Sequence, residues 1–365
     1  MNSFLTYLKS IFTSESELHQ QPSLKGKAKV DDLLNTLIAE KKLPGLAITV
    51  RKQGEEVFQK GYGFADIEAN IKVDPKRTVF RIASVSKNIA ATALAQMVKE
   101  NGIDLDASLY DYVPYFPKKE YDFTIRQLAN HTAGIRGYKG MEYGLNQPFS
   151  IKESLRIFKD DDLLFKPGTD YHYNSFDWVL ISLAMQEASG VSFENYVREK
   201  VLLPMGLLNT FGEPIESDKI EIDEEVAGHM ATFYSRRKSG FRKAMPVNNH
   251  YKLAGGGYLS TSEDIANFGQ AYLKDGILKD KVISEFLTAE KIGGKSTYYG
   301  LGWQVSLDAS GRSYFGHVGN GVGGYSNLFI YPKEEMVFSI LTNCTNPRIQ
   351  DVLDAAVNTF LVDSQ

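Results

Sequence analysis

The sequence predicts an α+β fold in which a mostly antiparallel sheet is flanked by helices and joined to a mainly helical lobe. Two observations lead to this prediction. Segments with strand character lie near both ends of the chain, and helix signals fill the stretch between about residues 105 and 203. Because strands from both ends must then meet in one sheet, we expect the helical lobe to be inserted between them. A catalytic or binding cleft is expected between lobe and sheet.

The first elements are a helix, a hairpin and a second helix. A helix is expected around Val30 to Lys41, and "GLAITVRKQGEEVFQKGYGF" has the pattern of two strands that turn near Gln53-Gly54. From Ile89 onward the apolar residues recur at the spacing of one buried helix face. Asn101-Gly102 predicts the end of that helix, because glycine readily adopts the left-handed conformation after a last turn.

The middle of the chain carries start and stop signals typical of helices. Thr124 precedes "IRQLANH", and Ser150-x-x-Glu153 has the pattern of a capping box before "SLRIF". "WVLISLAMQEASG" closes on Gly190. A further capped helix, "TSEDIANFGQAYLKDG", is predicted to start at Thr261-x-x-Asp264 and to end at Gly276.

Strands return near the C-terminus. "YGLGWQVSL", "SYFGHVG", "GYSNLFIYP" and "MVFSILTN" are separated by turn clusters at Asp308–Gly311, Asn320–Gly324 and Pro332–Glu335, and the helical pattern "IQDVLDAAVNTFL" follows. We therefore expect an N-terminal extension at 1–26 and one domain at 27–365, with the helical lobe at about 105–203 inserted between the two parts of the sheet.

Composition excludes several classes of function. Hydrophobic residues at 43% and charged residues at 24% are ordinary for a globular protein, and a net charge of −4 gives no basic footprint for nucleic acid. No run approaches the roughly 18 apolar residues of a transmembrane segment. The single cysteine, Cys344, excludes an internal disulfide, and the six histidines show no metal-ligand spacing. We expect no metal and no organic cofactor.

The N-terminus does not have the pattern of a secretion signal. "MNSFLTYLKSIF" is amphipathic but lacks a preceding basic region and a long apolar core, and "TSESELHQQPSLKGK" has the composition of a linker. These features favour a cytoplasmic protein, or else a periplasmic or secreted one whose natural signal has been removed.

Ser84 and Lys87 form the strongest candidate for chemistry. They lie three residues apart at the start of the predicted helix, where their side chains share a face. A serine hydroxyl becomes nucleophilic when a neighbouring base removes its proton, and a buried lysine is such a base. The alternative interpretation is an N-cap serine followed by a solvated lysine. A second copy of the pattern, Ser235 to Lys238, lies in a basic segment without an apolar helix and is rejected.

Two further segments carry candidate site residues. In "FKPGTDYHYNS", Tyr173 precedes a helix and could relay a proton between Ser84 and a leaving group, although a tyrosine here could equally cap the helix. In "YFGHVGNGVGGYSN", His317 could donate to a substrate carboxylate or steady Tyr173, although a lone histidine is more often structural. Gly319 lets a ligand approach the strand edge closely.

Taken together, five segments resemble the serine β-lactamase-like family, which includes class C β-lactamases, D,D-peptidases and related esterases. They are "FRIASVSK", "TIRQLANHTAGI", "FKPGTDYHYNS", "AGGGYLSTSEDIANF" and "YGLGW…FGHVGNGVGGYSN", and the resemblance covers about Leu43 to Asn343. "HTAGIRGY" is most similar to the mitochondrial serine β-lactamase-like protein of animals and its bacterial relatives. The resemblance implies a β-lactamase/transpeptidase-like fold.

The resemblance also implies roles for individual residues. Ser84 is the acylated nucleophile, Lys87 its proton acceptor and Tyr173 the tyrosine of the second motif. His317-Val318-Gly319 stands where other members have Lys-Thr-Gly or His-Thr-Gly, and the oxyanion hole combines the Ser84 N–H with that of a strand residue near Gly321.

This sequence departs from the family pattern at two substrate-binding positions. The usual Tyr-x-Asn is here Tyr173-Asn174-Ser175, and a hydroxyl cannot make the same pair of hydrogen bonds as an amide. Val318 removes a hydroxyl from the strand edge. Two literal matches elsewhere, Tyr325-Ser326-Asn327 and Lys238-Ser239-Gly240, lack the Pro-Gly turn and strand context and are rejected.

The sequence therefore predicts a serine hydrolase that cleaves ester or amide bonds, including peptide or β-lactam-like bonds, through an acyl-enzyme on Ser84. Its partner would be a small-molecule or peptide substrate, and a homo-oligomer is an open expectation. The alternative is an assembly or binding protein that uses the same scaffold with weak or vestigial activity, since some members of the resembled family polymerise. Substrate specificity would depend on loops such as Tyr138–Phe149.

Overall fold

The centre of the fold is a seven-stranded sheet whose strands come from both ends of the chain. The computed structural model describes residues 24–214, 226, 228–238 and 240–363. The strands of this sheet are β1 Gly45–Lys52, β2 Glu55–Asp66, β3 Ile71–Lys72, β11 Gln304–Leu307, β12 Ser313–Gly321, β13 Gly324–Tyr331 and β14 Met336–Thr342. Their order is β11-β12-β13-β14-β1-β2-β3, and every pair is antiparallel.

The register joins the two ends of the chain directly. β1 pairs with β14 from Leu46 opposite Thr342 to Lys52 opposite Met336. The β1–β2 hairpin turns at Gln53 and Gly54, both with positive φ (52° and 86°), as in the turns that match the twist of two-residue hairpins. The predicted α+β fold, with a mostly antiparallel sheet built from both ends, is confirmed.

Helices cover both faces of the sheet. The helices are α1 Gly26–Ala39, α2 Ser86–Lys99, α3 Leu109–Tyr112, α4 Ile125–Ala129, α5 Phe176–Ser189, α6 Phe193–Val197, α7 Ser262–Ala271, α8 Lys281–Phe286 and α9 Gln350–Asp363. α1 and α9 bury their apolar residues against one face. The larger core lies on the other face, where α2 and α7 join the sheet to the lobe that contains α5.

Several short strands form smaller sheets outside the seven-stranded one. They are β4 Phe80–Arg81, β5 Phe211–Gly212, β6 Tyr234–Arg237, β7 Gly240–Lys243, β8 Tyr258–Ser260, β9 Lys291–Ile292, β10 Lys295–Ser296 and β15 Cys344–Thr345. They form the sheets β4-β8-β5, β15-β6-β7 and β10-β9. Since β4 ends three residues before Ser84, its pairing with β8 fixes the approach to that serine.

The central lobe is less helical than the sequence predicts. Between Ala129 and Phe176 the described chain has only two short 3₁₀ turns, Gly140–Gly144 and Glu153–Ile157. Ser150 and Glu153 do exchange the capping-box hydrogen bonds, but a 3₁₀ turn follows them. The segment "AGIRGYKGMEYG" is rich in glycine, which is costly in a helix interior, and this accounts for the irregular backbone.

Helix boundaries also differ from prediction at two places. After α2 the left-handed residue is Asn101, with φ 55°, and not Gly102; asparagine adopts this conformation at low cost. α7 starts at the Thr261 cap as predicted but ends at Ala271, five residues before the left-handed Gly276. α5 ends as predicted, with Gly190 in the left-handed conformation.

Two other expectations concern the chain ends and membranes. The predicted N-terminal extension, with its amphipathic stretch "MNSFLTYLKSIF", lies outside the described residues apart from positions 24–26. Within the described part of the chain, no helix has the length and apolar character needed to cross a membrane.

Candidate active site

Ser84 lies in a 3₁₀ turn, Ala83–Val85, that leads directly into α2. The preceding Ala83 has φ 44°, a left-handed conformation that is unfavourable for alanine and is held by its surroundings. Those surroundings include two glycines without side chains, Gly256 and Gly321, on opposite walls of the cleft. Ser84 itself is half-buried, so its hydroxyl is accessible from the cleft.

Lys87, one turn further along, is completely buried beneath Ser84. Its Nζ lies 3.4 Å from Ser84 Oγ and donates to the Gly255 carbonyl at 2.6 Å. Burial lowers the pKa of Lys87 to about 7; the Asp177 carboxyl opposes this shift and the Lys252 ammonium adds to it. A substantial fraction of the lysine is therefore a neutral amine near neutral pH, as a general base must be.

Tyr173 reaches Ser84 from the lobe, two residues before the N-cap of α5. Its hydroxyl donates to Ser84 Oγ at 2.8 Å, and Lys87 Nζ lies 4.8 Å from the centroid of its ring. The three groups singled out in the sequence thus meet at one point, although Tyr173 lies 86 residues after Lys87 in the chain. The hydrogen bond to Ser84 gives Tyr173 a specific partner that a helix-capping tyrosine would not require.

A buried pair, His131 and Asp177, supports Tyr173 from below and was missed by sequence reasoning. His131 Nδ1 lies 2.7 Å from Asp177 Oδ2, and the His131 ring packs edge-on against Tyr173 at 4.7 Å between centroids. Burial lowers the pKa of His131 and raises that of Asp177. A signal was available for Asp177, because it lies four residues after Tyr173 at the start of α5, but its burial could not be read from the sequence.

Asn174 completes this buried support. Its Nδ2 donates to Asp177 Oδ2 at 2.7 Å and to the Ile135 carbonyl at 3.0 Å. The amide at position 174 is therefore directed into the protein, and it does not replace the asparagine that Ser175 lacks.

His317 lies behind the cleft wall and does not line the cleft. It is 1% exposed, and burial, with the nearby Lys87, lowers its pKa to about 3. Its Nδ1 lies 2.8 Å from the Val318 carbonyl and its Nε2 3.0 Å from Tyr299 Oη. Because a carbonyl only accepts, Nδ1 carries the proton and Nε2 accepts from Tyr299. The predicted donation from His317 to a substrate carboxylate does not fit this arrangement. Contact with the ring of Tyr173, at 5.8 Å between centroids, does fit it.

The edge of β12 forms the wall opposite the lobe. β11 pairs with this strand only from Ser313 to Gly316, so the edge beyond Gly316 faces no neighbouring strand on that side. A Cβ at Gly319 would lie 2.5 Å from the Ile82 carbonyl and 2.9 Å from Ser84 N, which shows how tightly this strand packs on the Ser84 turn. Close approach of this chain's own backbone therefore accounts for a glycine at position 319. The predicted approach of a ligand to this strand edge stays a prediction.

The direction of the β12 amides follows from one hydrogen bond. Val318 N donates to Gln304 Oε1 at 3.0 Å, away from β13. Since N–H groups two residues apart in a strand point to the same side, the Asn320 N–H also points to the open edge, and that of Gly321 points towards β13. The strand amide that faces the cleft is thus that of Asn320, one residue before Gly321.

The cleft between these walls contains Ser84 and residues of four other segments. The lining residues are Arg81, Ala83, Ser84, Tyr138, Tyr143, Ser175, Asn249, Lys252, Gly255, Gly256, Asn320, Gly321 and Val322. Ser175 and Gly321 line the cleft as predicted, and two residues of the predicted specificity loop, Tyr138 and Tyr143, do so as well.

The rejected motif copies lie elsewhere. Ser235 is on β6, with Oγ 3.1 Å from Thr345 Oγ1, and Tyr325 and Ser326 are buried within β13, where Ser326 Oγ donates to the Ile82 carbonyl at 2.5 Å. Ser239 lies outside the described residues. Among the residues that are described, no three or more His, Cys, Asp or Glu side chains lie together in a way that could hold a metal ion.

The comparison with protein families decides the classification. The family model described as Beta-lactamase matches residues 30–360. The chain belongs to the Beta-lactamase family. The resemblance predicted from the sequence motifs is thereby confirmed, and the family match covers the whole of the seven-stranded sheet and the lobe.

Two individual proteins are similar in sequence over most of this chain. The human serine beta-lactamase-like protein LACTB, mitochondrial, is 29% identical over 414 aligned positions, which cover 87% of this chain and 74% of that protein. Protein flp of Staphylococcus aureus strain MRSA252 is 27% identical, with 92% of this chain and 66% of that protein covered.

Solved structures of other proteins superpose on most of the chain. The octameric penicillin-binding protein homologue of Pyrococcus abyssi has a TM-score of 0.77 and 25% identity, covering 92% of this chain and 77% of that one. D-amino acid amidase of Ochrobactrum anthropi, solved with D-phenylalanine, has a TM-score of 0.78 at 19% identity and covers 92% of this chain and 98% of that one. The second comparison shows a shared fold.

Proposed function

We propose that this protein is a serine hydrolase that cleaves ester or amide bonds through an acyl-enzyme on Ser84. The observation that carries the proposal is the meeting of three groups: Ser84 Oγ lies 2.8 Å from Tyr173 Oη and 3.4 Å from Lys87 Nζ. The low pKa of Lys87 supports a role as proton acceptor. Membership of the Beta-lactamase family supports the same reaction class.

In the proposed acylation step, Ser84 Oγ attacks the substrate carbonyl carbon while its proton passes to the neutral Lys87 amine. The carbonyl oxygen becomes an oxyanion, which the N–H groups of Ser84 and Asn320 would stabilise. Tyr173 then gives its proton to the leaving oxygen or nitrogen as the bond to the carbonyl carbon breaks, and recovers a proton from Lys87. Deacylation is the reverse sequence with water as the attacking group.

The proposal uses no metal and no organic cofactor, because every proton transfer is assigned to a side chain already in place. The substrate would be a small molecule or a peptide that enters the cleft beside Ser175. Serine at this position favours simple esters over substrates that need an amide contact on the acyl group, because the hydroxyl provides fewer and shorter-reaching hydrogen bonds.

A hydrolysis profile tests the proposal. We expect wild-type protein to hydrolyse short p-nitrophenyl esters, and D- or L-aminoacyl p-nitroanilides or a cephalosporin more slowly. Ser84→Ala should lose the activity on every substrate that wild type cleaves. Activity of equal size in Ser84→Ala would contradict the proposal, since hydrolysis would then not pass through this serine.

A role in assembly is the second candidate, and one observation favours it: the solved relative from Pyrococcus abyssi is described as octameric. We propose that this chain also forms a homo-oligomer. Sedimentation velocity of wild type and Ser84→Ala would test both points. A monomer in both proteins would contradict the oligomer, and an oligomer in both that hydrolyses none of the test substrates would favour a binding or assembly role.

A further inference from the structure

Lys252 is a buried cation in the wall of the cleft that contains Ser84. It is 8% exposed and ends the 3₁₀ turn His250–Lys252. Its Nζ donates to the Tyr143 carbonyl at 3.0 Å and lies 5.1 Å from the centroid of the Tyr138 ring. An ammonium has three N–H donors, and this hydrogen bond uses one of them.

No carboxylate of the described chain forms an ion pair with Lys252. Two acidic side chains that contact neighbours of Lys252 are each paired with an arginine. Glu213 pairs with Arg81 through Oε1, and its Oε2 accepts from Asn249 Nδ2 at 2.6 Å. The second acid is Glu142, which directly precedes Tyr143, the residue whose carbonyl accepts from Lys252. Glu142 Oε2 lies 2.5 Å from Arg136 Nη1, so this carboxylate is paired with an arginine.

The cleft therefore carries an uncompensated positive charge. Arg81 also lines it, but Glu213 neutralises that charge. A buried cation without a counter-ion is costly, whereas a charge-assisted hydrogen bond to an anion is among the stronger polar contacts. The protein itself supplies no such anion to Lys252 among the described residues, and Lys252 lines the same cleft as Ser84.

We propose that Lys252 binds a carboxylate of the substrate, so that the hydrolase prefers esters or amides that carry a carboxylate near the scissile bond. This inference rests on the proposed function. The preference for a carboxylate would come from Lys252, since Ser84, Lys87 and Tyr173 act on the scissile bond and do not distinguish charged from neutral substrates.

The location of Lys252 agrees with this role. Gly255, three residues later, packs on Ser175, since a Cβ there would lie 3.2 Å from Ser175 Cβ. The carbonyl of Gly255 also accepts from Lys87 Nζ. One short segment thus connects the base, the Ser175 wall and the cation. A carboxylate held by Lys252 would be within the same cleft as the reacting carbonyl.

Pairs of esters that differ only in charge test the proposal. On the acyl side, mono-p-nitrophenyl adipate is compared with its terminal methyl ester. On the leaving-group side, the hexanoate ester of 3-hydroxybenzoate is compared with that of 3-hydroxybenzamide. In wild type we expect kcat/KM to be about 10- to 100-fold higher for the charged member of at least one pair, the size of one hydrogen bond to a charged group.

Variants assign that preference to Lys252. Lys252→Met should bring the ratio of the two kcat/KM values close to one, Lys252→Arg should keep most of it, and the exposed control Lys291→Met should leave it unchanged. A ratio that survives in Lys252→Met, or wild type that prefers neither charged ester, would overturn the inference. Hydrolysis of the neutral esters, dependent on Ser84, reports on the proposed function separately.

Inhibition of the wild-type protein by charged and neutral compounds tests the proposal without any variant, so it is informative even if Lys252→Met does not fold. In wild type, adipate should inhibit hydrolysis of a neutral ester about 10-fold more strongly than adipamide, and added salt should weaken that inhibition. Equal inhibition by the two compounds would overturn the inference.

Discussion

The hydroxyl of Tyr173 lies 2.8 Å from the hydroxyl of Ser84, which is in the 3₁₀ turn Ala83–Val85 before α2. Lys87 Nζ approaches the same oxygen at 3.4 Å from below. Ser84 Oγ therefore has two partners on different elements: Tyr173 donates to it, and a neutral Lys87 can accept its proton.

The first prediction concerns Lys87 and Tyr173 as a unit. Lys87→Ala and Tyr173→Phe should each lower kcat by at least about 10²-fold with much smaller changes in KM, because both would act on proton transfer and neither on substrate binding. The double variant should lose much less than the product of the two single losses. Steady-state kinetics of the four proteins measure this. Fully multiplicative losses would contradict a shared proton relay.

The second prediction concerns pH. Since the pKa of Lys87 is lowered to about 7 and the base must be neutral, kcat/KM on a neutral ester should rise with pH through a midpoint of about 7. Burial lowers the pKa of His317 to about 3, so that histidine stays neutral across this range. Lys252→Met removes a cation that lowers the pKa of Lys87, and it should move the midpoint to higher pH.

The control for this prediction is Lys291→Met, on the exposed β9 strand, which should leave the pH midpoint in place. A profile that is flat between pH 6 and 8 in wild type would contradict a lysine base with a pKa of about 7. A midpoint that falls in Lys252→Met would contradict the sign of the charge effect.

The third prediction concerns the packing of β12 on the Ser84 turn. Gly319→Ala places a methyl group 2.3 Å from Ser326 Oγ and 2.9 Å from Ser84 N, so the turn must move. We expect a loss of about 1–3 kcal/mol in the free energy of unfolding and a marked fall in kcat. Gly321→Ala, two residues along the same strand, meets only Ala83 Cβ at 3.3 Å and should be milder in both respects. Thermal unfolding and ester kinetics of the two variants measure these losses. Equal losses of stability and of kcat in Gly319→Ala and Gly321→Ala would contradict this account of Gly319.

The sequence predicted the parts of the fold that local signals control. The hairpin turn at Gln53-Gly54 and the end of α5 at Gly190 follow from backbone conformations that few residues adopt. In the irregular stretch between Ala129 and Phe176, the glycines of "AGIRGYKGMEYG" disfavour a helix, but the conformation that the chain adopts instead depends on buried contacts such as His131 with Asp177. Sequence periodicity carries no information about contacts of this kind.

The same distinction holds for the site. Ser84 and Lys87 are three residues apart, and their proximity follows from helix geometry. Lys252 comes from a segment more than 160 residues later and carries no local motif, so only the folded chain shows that it lines the cleft. The burial of His317 likewise involves Tyr299 and Tyr173, which the pattern of β12 alone does not specify.

The fourth prediction concerns Ser175. Ser175→Asn restores the amide of the family motif at the cleft wall, and it should favour amide-bearing substrates by about 1–2 kcal/mol while leaving small esters nearly unchanged. Kinetics of both proteins on a p-nitrophenyl ester and on a penicillin or D-Ala-D-Ala peptide measure the difference. Wild type that already hydrolyses cephalosporins faster than esters would contradict the assigned effect of Ser175.

Covalent labelling of Ser84 tests the central claim most directly. Wild-type protein is treated with a fluorophosphonate, its intact mass is measured, and the modified peptide is mapped by tandem mass spectrometry. We predict one added group per chain, located on Ser84, and no addition to Ser84→Ala under the same conditions, because the turn at Ala83–Val85 and the neighbouring Lys87 activate this hydroxyl. Labelling that persists in Ser84→Ala, or that maps to Ser235, would contradict the assignment of the nucleophile.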